Sequence, residues 1–166
     1  MDEGSMFHSI FESIGWIDAE EEFDAAAALR KYRISEKEIS KIERECQGML
    51  EFEEPKQCLS RSTFESKGVT AELYRELPFA ESDGDRLIRG VMDRVVVQKS
   101  GDAVTAVTVI DFKTDRADGE ELTKRAEFYK PQLKVYAKAA ARIFGVSPKL
   151  VKQVLLFMRA GKAVEL

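Results

Sequence analysis

Asp111 and Lys113 stand two residues apart in the stretch TVIDFKTDR, residues 108–116. Thr108, Val109 and Ile110 read as a buried β-strand, and residues two apart on a strand point to one face. A carboxylate and an ammonium therefore leave an apolar surface side by side, where charge is costly to bury. A second carboxylate, Asp93, lies in GVMDRVVV, whose Val91, Asp93, Val95 and Val97 share a strand face. With a hairpin turning about Gly101, Asp93 is expected opposite residue 109 and diagonal to Asp111, roughly 7–8 Å away and within reach of one shared cation. A one-residue slip would part the two faces. Two acids beside a lysine suit Mg²⁺, which takes one or two carboxylates plus waters and phosphate oxygens. Such an ion acidifies water and steadies the charge of a phosphorane-like transition state. Lys113 would orient or help deprotonate the attacking water and counter phosphate charge. Asp-x-Lys alone equally describes two solvated residues on an exposed strand face.

The elements that must hold these groups are legible in outline. Phe7, Ile10, Phe11 and Ile14 recur at helix spacing, and EEEFDAAAALRKY places acids first and bases last, as a helix dipole favours. SEKE at 35–38 is a capping box, with Ser35 as N-cap and Glu38 at the third position. Ile39, Ile42, Cys46 and Met49 stripe the next helix, which FEEPKQ around Pro55 is expected to end. Strands follow in TAELYRELPF, RLIRGVMDRVVVQ and AVTAVTVIDFKT, the last two joined by a Ser100-Gly101-Asp102 turn. A helix is expected from about Glu121 to Phe144, stopped by Gly145. A strand, a turn at Ala160-Gly161 and a short final strand complete the order.

Composition narrows the class. The 166 residues, 44% hydrophobic and 34% charged, suffice for one mixed α/β domain with its own core. The helical part is read over about 5–56 and the sheet-and-helix core over about 59–166. The abrupt start and stop beside ordered-looking elements suggest a piece of a larger protein. No apolar run approaches membrane-spanning length and MDEGS is acidic, so a cytoplasmic location is the default. Cys46 and Cys58 cannot build a four-cysteine zinc or iron–sulfur site and are expected as free thiols. His8 stands alone, which excludes a multi-histidine zinc centre. A net charge of −4, from 26 basic and 30 acidic residues, argues against holding nucleic acid by bulk electrostatics. A metal or local basic patch can still reverse the field at one site.

Five ordered motifs carry a resemblance. GSMFH (4–8), ELPF (76–79), GVMD (90–93), VIDFKTD (109–115) and YKPQLKVY (129–136) are similar to the RecB-type nuclease domain of the PD-(D/E)XK superfamily. The chain looks most like the C-terminal nuclease domain of AddA-like, UvrD-type helicase–nucleases. The resemblance implies a restriction-endonuclease-like mixed β-sheet flanked by helices, with a helical segment in front. It implies Mg²⁺- or Mn²⁺-dependent hydrolysis of DNA, favouring single strands delivered by a helicase domain of the same chain during double-strand-break repair and recombination. A second subunit of a helicase–nuclease complex is a further implied partner, and no membrane is.

By that resemblance Asp93 and Asp111 match the metal-binding acids, Lys113 the catalytic lysine, and His8 the histidine that joins the metal. Glu76 matches a motif glutamate, while Gln132 and Tyr136 match a pair that lines the site or contacts DNA. No iron–sulfur cluster is implied, since that branch needs four cysteines. Plainer readings stay open: His8 as a boundary histidine, Glu76 as a strand surface acid, Gln132 and Tyr136 as a tether between helix and sheet. Lys130, Lys134, Lys138 and Arg142 form an i+4 series expected to face away from that pair, into solvent. A catalytically silent DNA-binding or docking module is the rival reading, as is a free-standing nuclease or junction resolvase. A silent relative would be free to lose the Asp93, Asp111 and Lys113 set.

Overall fold

The computed structural model describes residues 3–19 and 24–166. Its elements, in order, are α1 (Glu3–Ser13), α2 (Ala25–Leu29), α3 (Glu36–Leu50), α4 (Glu53–Leu59), β1 (Thr70–Asp83), β2 (Arg86–Ser100), β3 (Ala103–Lys113), α5 (Gly119–Ile143), β4 (Val151–Phe157) and β5 (Lys162–Glu165). The capping box is present: Glu38 N–H donates to Ser35 Oγ at 3.3 Å, and Ser35 N–H to Glu38 Oε2 at 2.9 Å. Asp24 caps α2 by accepting from Ala27 N–H, so the helix starts later than the acidic lead suggests. The lead itself, residues 20–23, lies outside the described residues.

α3 ends at Leu50, just ahead of FEEPKQ as expected, but Pro55 itself belongs to a further helix. It sits in the first turn of α4, where no intrahelical N–H partner is required. Pro131 lies inside α5 and does forgo a helix hydrogen bond there.

The sheet runs β1-β2-β3-β4-β5. The first three strands form an antiparallel meander, and β3 and β4 are parallel because α5 crosses between them. Strand alternation gives the sheet two apolar faces. Val95, Val97, Val107 and Val109 meet Tyr136, Ala137 and Ala140 of α5. Ile110, Phe112, Val154 and Leu156 pack against Phe7, Phe11 and Leu29 of the N-terminal helices.

The β2–β3 register differs from the expected one. A bulge at Gln98/Lys99 shifts the pairing, and the ladder runs to Arg94↔Ile110. Asp93 is thus one step beyond the last pair, level with Asp111 rather than diagonal to it. The shift of two residues keeps both acids on one face. On the other edge the β1–β2 pairing skips from Arg75↔Arg94 to Leu77↔Met92, and Glu76, level with Asp93, adopts a left-handed φ of 52°. The ladder therefore opens around Asp93, and its carboxylate takes over, accepting Phe112 N–H at 2.8 Å.

Arg94 fixes α1 against this sheet. Its guanidinium donates to Ile14 O and Gly15 O, both at 2.9 Å, and lies 4.8 Å from the Trp16 ring centroid. Only 1% of it is exposed, and burial pushes its pKa down to about 10. Arg94→Leu leaves those carbonyls without a donor and should cost about 2–4 kcal/mol in urea unfolding. A loss under about 0.5 kcal/mol would show that the clamp is dispensable.

Candidate active site

Four elements converge where β2 and β3 part. α1 buries Phe7, Ile10 and Phe11 completely, which leaves His8 and Glu12 on its partly exposed edge. His8 lies edge-on to the Phe112 ring, with centroids 6.3 Å apart. Its Nε2 is 2.7 Å from Glu12 Oε1 and 3.5 Å from Asp93 Oδ1. One ligand atom from each of His8, Glu12 and Asp93 lies within 4.8 Å of the others.

Asp111 and Lys113 complete the neighbourhood from β3. Asp111 is 2% exposed, and Lys113 Nζ touches its Oδ2 at 2.5 Å. On its other side Lys113 Nζ lies 3.9 Å from the centroid of the Tyr129 ring. Tyr129 donates to Asp115 Oδ2 at 3.0 Å. Gln132 Nε2 donates to the Tyr136 oxygen at 2.5 Å. Phe79 meets Tyr136 edge-on at 5.3 Å, and its ring crosses Gly90 so closely that a Cβ there would come within 2.8 Å of it. The glycine of GVMD and the phenylalanine of ELPF thus help to seat Tyr136.

The carboxylates raise the basicity of their neighbours. Asp93 most, then Glu12, hold the His8 imidazolium so well that its pKa is pushed up to about 10, against an opposing effect of burial. Burial pushes the Glu12 carboxyl up, but the hydrogen bond and charge of His8, together with Glu76 and Lys31, bring the net direction down. Burial first, then the Asp93 charge, push the Asp111 carboxyl up to about 6, although Lys113 opposes both. Burial and the Glu12 charge likewise raise the Glu76 carboxyl. Burial, followed by the Asp111 charge, lifts the Tyr136 phenol to about 12. The crowded carboxylates are offset here by the His8 imidazolium and the Lys113 ammonium.

A model of the PD-(D/E)XK nuclease superfamily matches residues 1–165. The chain belongs to that superfamily. This nuclease-superfamily chain is also 32% identical, over 106 residues, to an ATP-dependent helicase/nuclease subunit of Carboxydothermus hydrogenoformans, a match covering 56% of the chain and 8% of the relative. The ATP-dependent helicase/nuclease subunit of the same name from Limosilactobacillus fermentum is 29% identical over 113 residues, covering 57% of the chain and 8% of the relative. The chain corresponds to a small part of either relative's length. Nuclease-superfamily membership supports a nuclease role for the chain.

The structure brings His8, Glu12 and Asp93 into one group, with the Asp111–Lys113 pair coupled to it electrostatically through Asp93 and His8. Glu76 joins the rim through Glu12. Three side chains were missed by sequence reasoning. Glu12 follows His8 by one helical turn, a spacing that equally describes a surface ion pair. Tyr129 precedes Gln132 by three residues on the same helix, and Asp115 follows Lys113 on the chain. The basic series on α5 is not simply solvated: Lys138 and Arg142 reach Glu81 of β1 at 3.2 and 3.3 Å. Among the described residues no helix is long and apolar enough to cross a membrane.

Proposed function

We propose that this chain is a divalent-metal-dependent nuclease domain that hydrolyses phosphodiester bonds of DNA. Single-stranded DNA handed over by a linked helicase, in the repair of double-strand breaks, is its substrate. The observation that carries the proposal is the His8, Glu12 and Asp93 donor group, within 4.8 Å, beside the buried Asp111–Lys113 pair. One imidazole nitrogen and several carboxylate oxygens fit Mg²⁺ and suit Mn²⁺ better. His8, Asp93 and Asp111 are assigned as the ligands, with Glu12 in reach as a further donor. When bound, such a cation polarises the scissile phosphate and makes water a stronger nucleophile.

The chain's own groups do the rest. His8 must give up its proton before Nε2 can ligate, so cation uptake strengthens with pH up to its pKa of about 10. Lys113, only 14% exposed in its side chain, holds the attacking water and offsets charge growing on the phosphate. Gln132 and Tyr136 shape the wall that α5 presents to the substrate. A cleft of about 670 Å³, lined by His8, Glu12, Lys31, Thr114 and Asp115, gives a strand access.

A net charge of −4 suits a domain whose substrate arrives by tethering rather than by bulk attraction. Labelled single-stranded and duplex DNA, incubated with the domain in Mg²⁺, Mn²⁺ or EDTA, test the proposal. Cleavage should require a metal and favour single strands. Equal cutting in EDTA would overturn the metal assignment, and no cutting under any condition would leave the silent binding module.

A further inference from the structure

We propose that Tyr129 is the positioning residue for Lys113, holding its ammonium on the face of the phenol ring; the proposal rests on the role given to Lys113 above. The ammonium sits between two negative surfaces. Asp111 Oδ2 lies 2.5 Å to one side and the Tyr129 ring centroid 3.9 Å to the other. The second distance is well inside the ~6 Å range over which a ring quadrupole attracts a cation. The two surfaces would not be equivalent with a divalent ion bound: a carboxylate that also held the ion would have less potential to offer a lysine, whereas the ring would keep all of its own. Lysine is a point charge on a stem with four rotatable carbons, so without the ring it would sample positions useless to the water it serves.

The ring is itself held at both ends. Its hydroxyl donates to Asp115 Oδ2 at 3.0 Å, and Arg125 lies 3.5 Å from Asp115 Oδ1. Phe128 meets the ring edge-on at 5.2 Å. Tyr129, Gln132 and Tyr136 fall at i, i+3 and i+7 of α5, one helical face. That face therefore serves two tasks: its C-terminal part lines the site, and its N-terminal part fixes the lysine.

Packing alone would give a different pattern of variants, because Tyr129 also rests against the Ala126 and Leu133 cluster. The experiment uses Tyr129→Phe, Tyr129→Leu, Lys113→Ala and the Tyr129→Leu/Lys113→Ala double variant. In the metal-free protein, the NMR signal of the Lys113 ε-methylene should be shifted upfield by the ring current in wild type and in Tyr129→Phe. It should return to the ordinary lysine position in Tyr129→Leu. In cleavage of labelled single-stranded DNA at saturating Mn²⁺, Tyr129→Leu should lower kcat about tenfold with KM unchanged, and Tyr129→Phe should stay within about threefold. Tyr129→Leu should cost nothing more when Lys113 is already alanine. An ordinary Lys113 shift in wild type, an equal Leu penalty with and without Lys113, or a Phe variant as slow as Leu would overturn the inference. Failure of the nuclease reading shows separately, as wild type and Lys113→Ala behaving alike with DNA; the ε-methylene shift then still judges the ring contact.

Discussion

Asp111→Asn should abolish the proposed metal-dependent cleavage, an expected loss of about a thousandfold or more, while the metal-free protein should become more stable at pH 8. The two effects come from one carboxylate. Asp111 is 2% exposed, and burial followed by the Asp93 charge raises its pKa to about 6. A folded-state value above the unfolded one means that the folded chain keeps this proton longer. Ionisation therefore costs stability progressively between roughly pH 4 and 6, and the full cost is present above that window. Asparagine keeps the shape and removes the charge, at the loss of one partner for Lys113. A net gain of about 1–2 kcal/mol is expected at pH 8 and almost none at pH 4. Urea unfolding across pH measures it. A variant less stable than wild type at pH 8, or one retaining a tenth of the activity, would remove Asp111 from the cation site.

Lys113→Ala is expected to lower turnover by about two to three orders of magnitude and to leave cation affinity within about threefold, since the proposed function assigns the ammonium to water and phosphate rather than to the ion. Arginine rescues poorly: its planar fork fits neither the close approach to Asp111 nor a water that needs a compact point charge. Calorimetric titration with Mn²⁺ alongside single-turnover cleavage separates the two quantities. Restoration of the alanine variant's rate by saturating metal would place Lys113 in cation binding instead.

The sequence carries what is local and loses what depends on distant partners. The Ser35–Glu38 box is a matter of four consecutive residues, and it forms as read. The Gly101 turn and the α5 crossover are of the same kind. The β2–β3 register is not, because the bulge at Gln98/Lys99 shifts the pairing and no local sequence signal announces it. FEEPKQ marks the end of α3 but hides the start of α4, since proline is at home both after one helix and in the first turn of the next. In the site, Asp93, Asp111 and Lys113 stand out as charges within apolar runs. His8 became visible through resemblance, for nothing in GSMFH says that a sheet strand 85 residues later will meet it. Nothing local marks Arg94, though it is among the largest fully buried side chains.

The seat of α1 also dictates a timetable. Ile14, whose carbonyl Arg94 holds, precedes that arginine by 80 residues in the chain. At translation rates of about 5–20 residues per second, the helix waits roughly 4–16 s for its clamp to be made. During that interval Phe7, Ile10 and Phe11 have no sheet to cover them, and His8 has no carboxylate from β2 to face. A growing chain therefore carries an apolar helix with nothing to cover it until β2 and β3 have been made, and His8 cannot meet Asp93 before then.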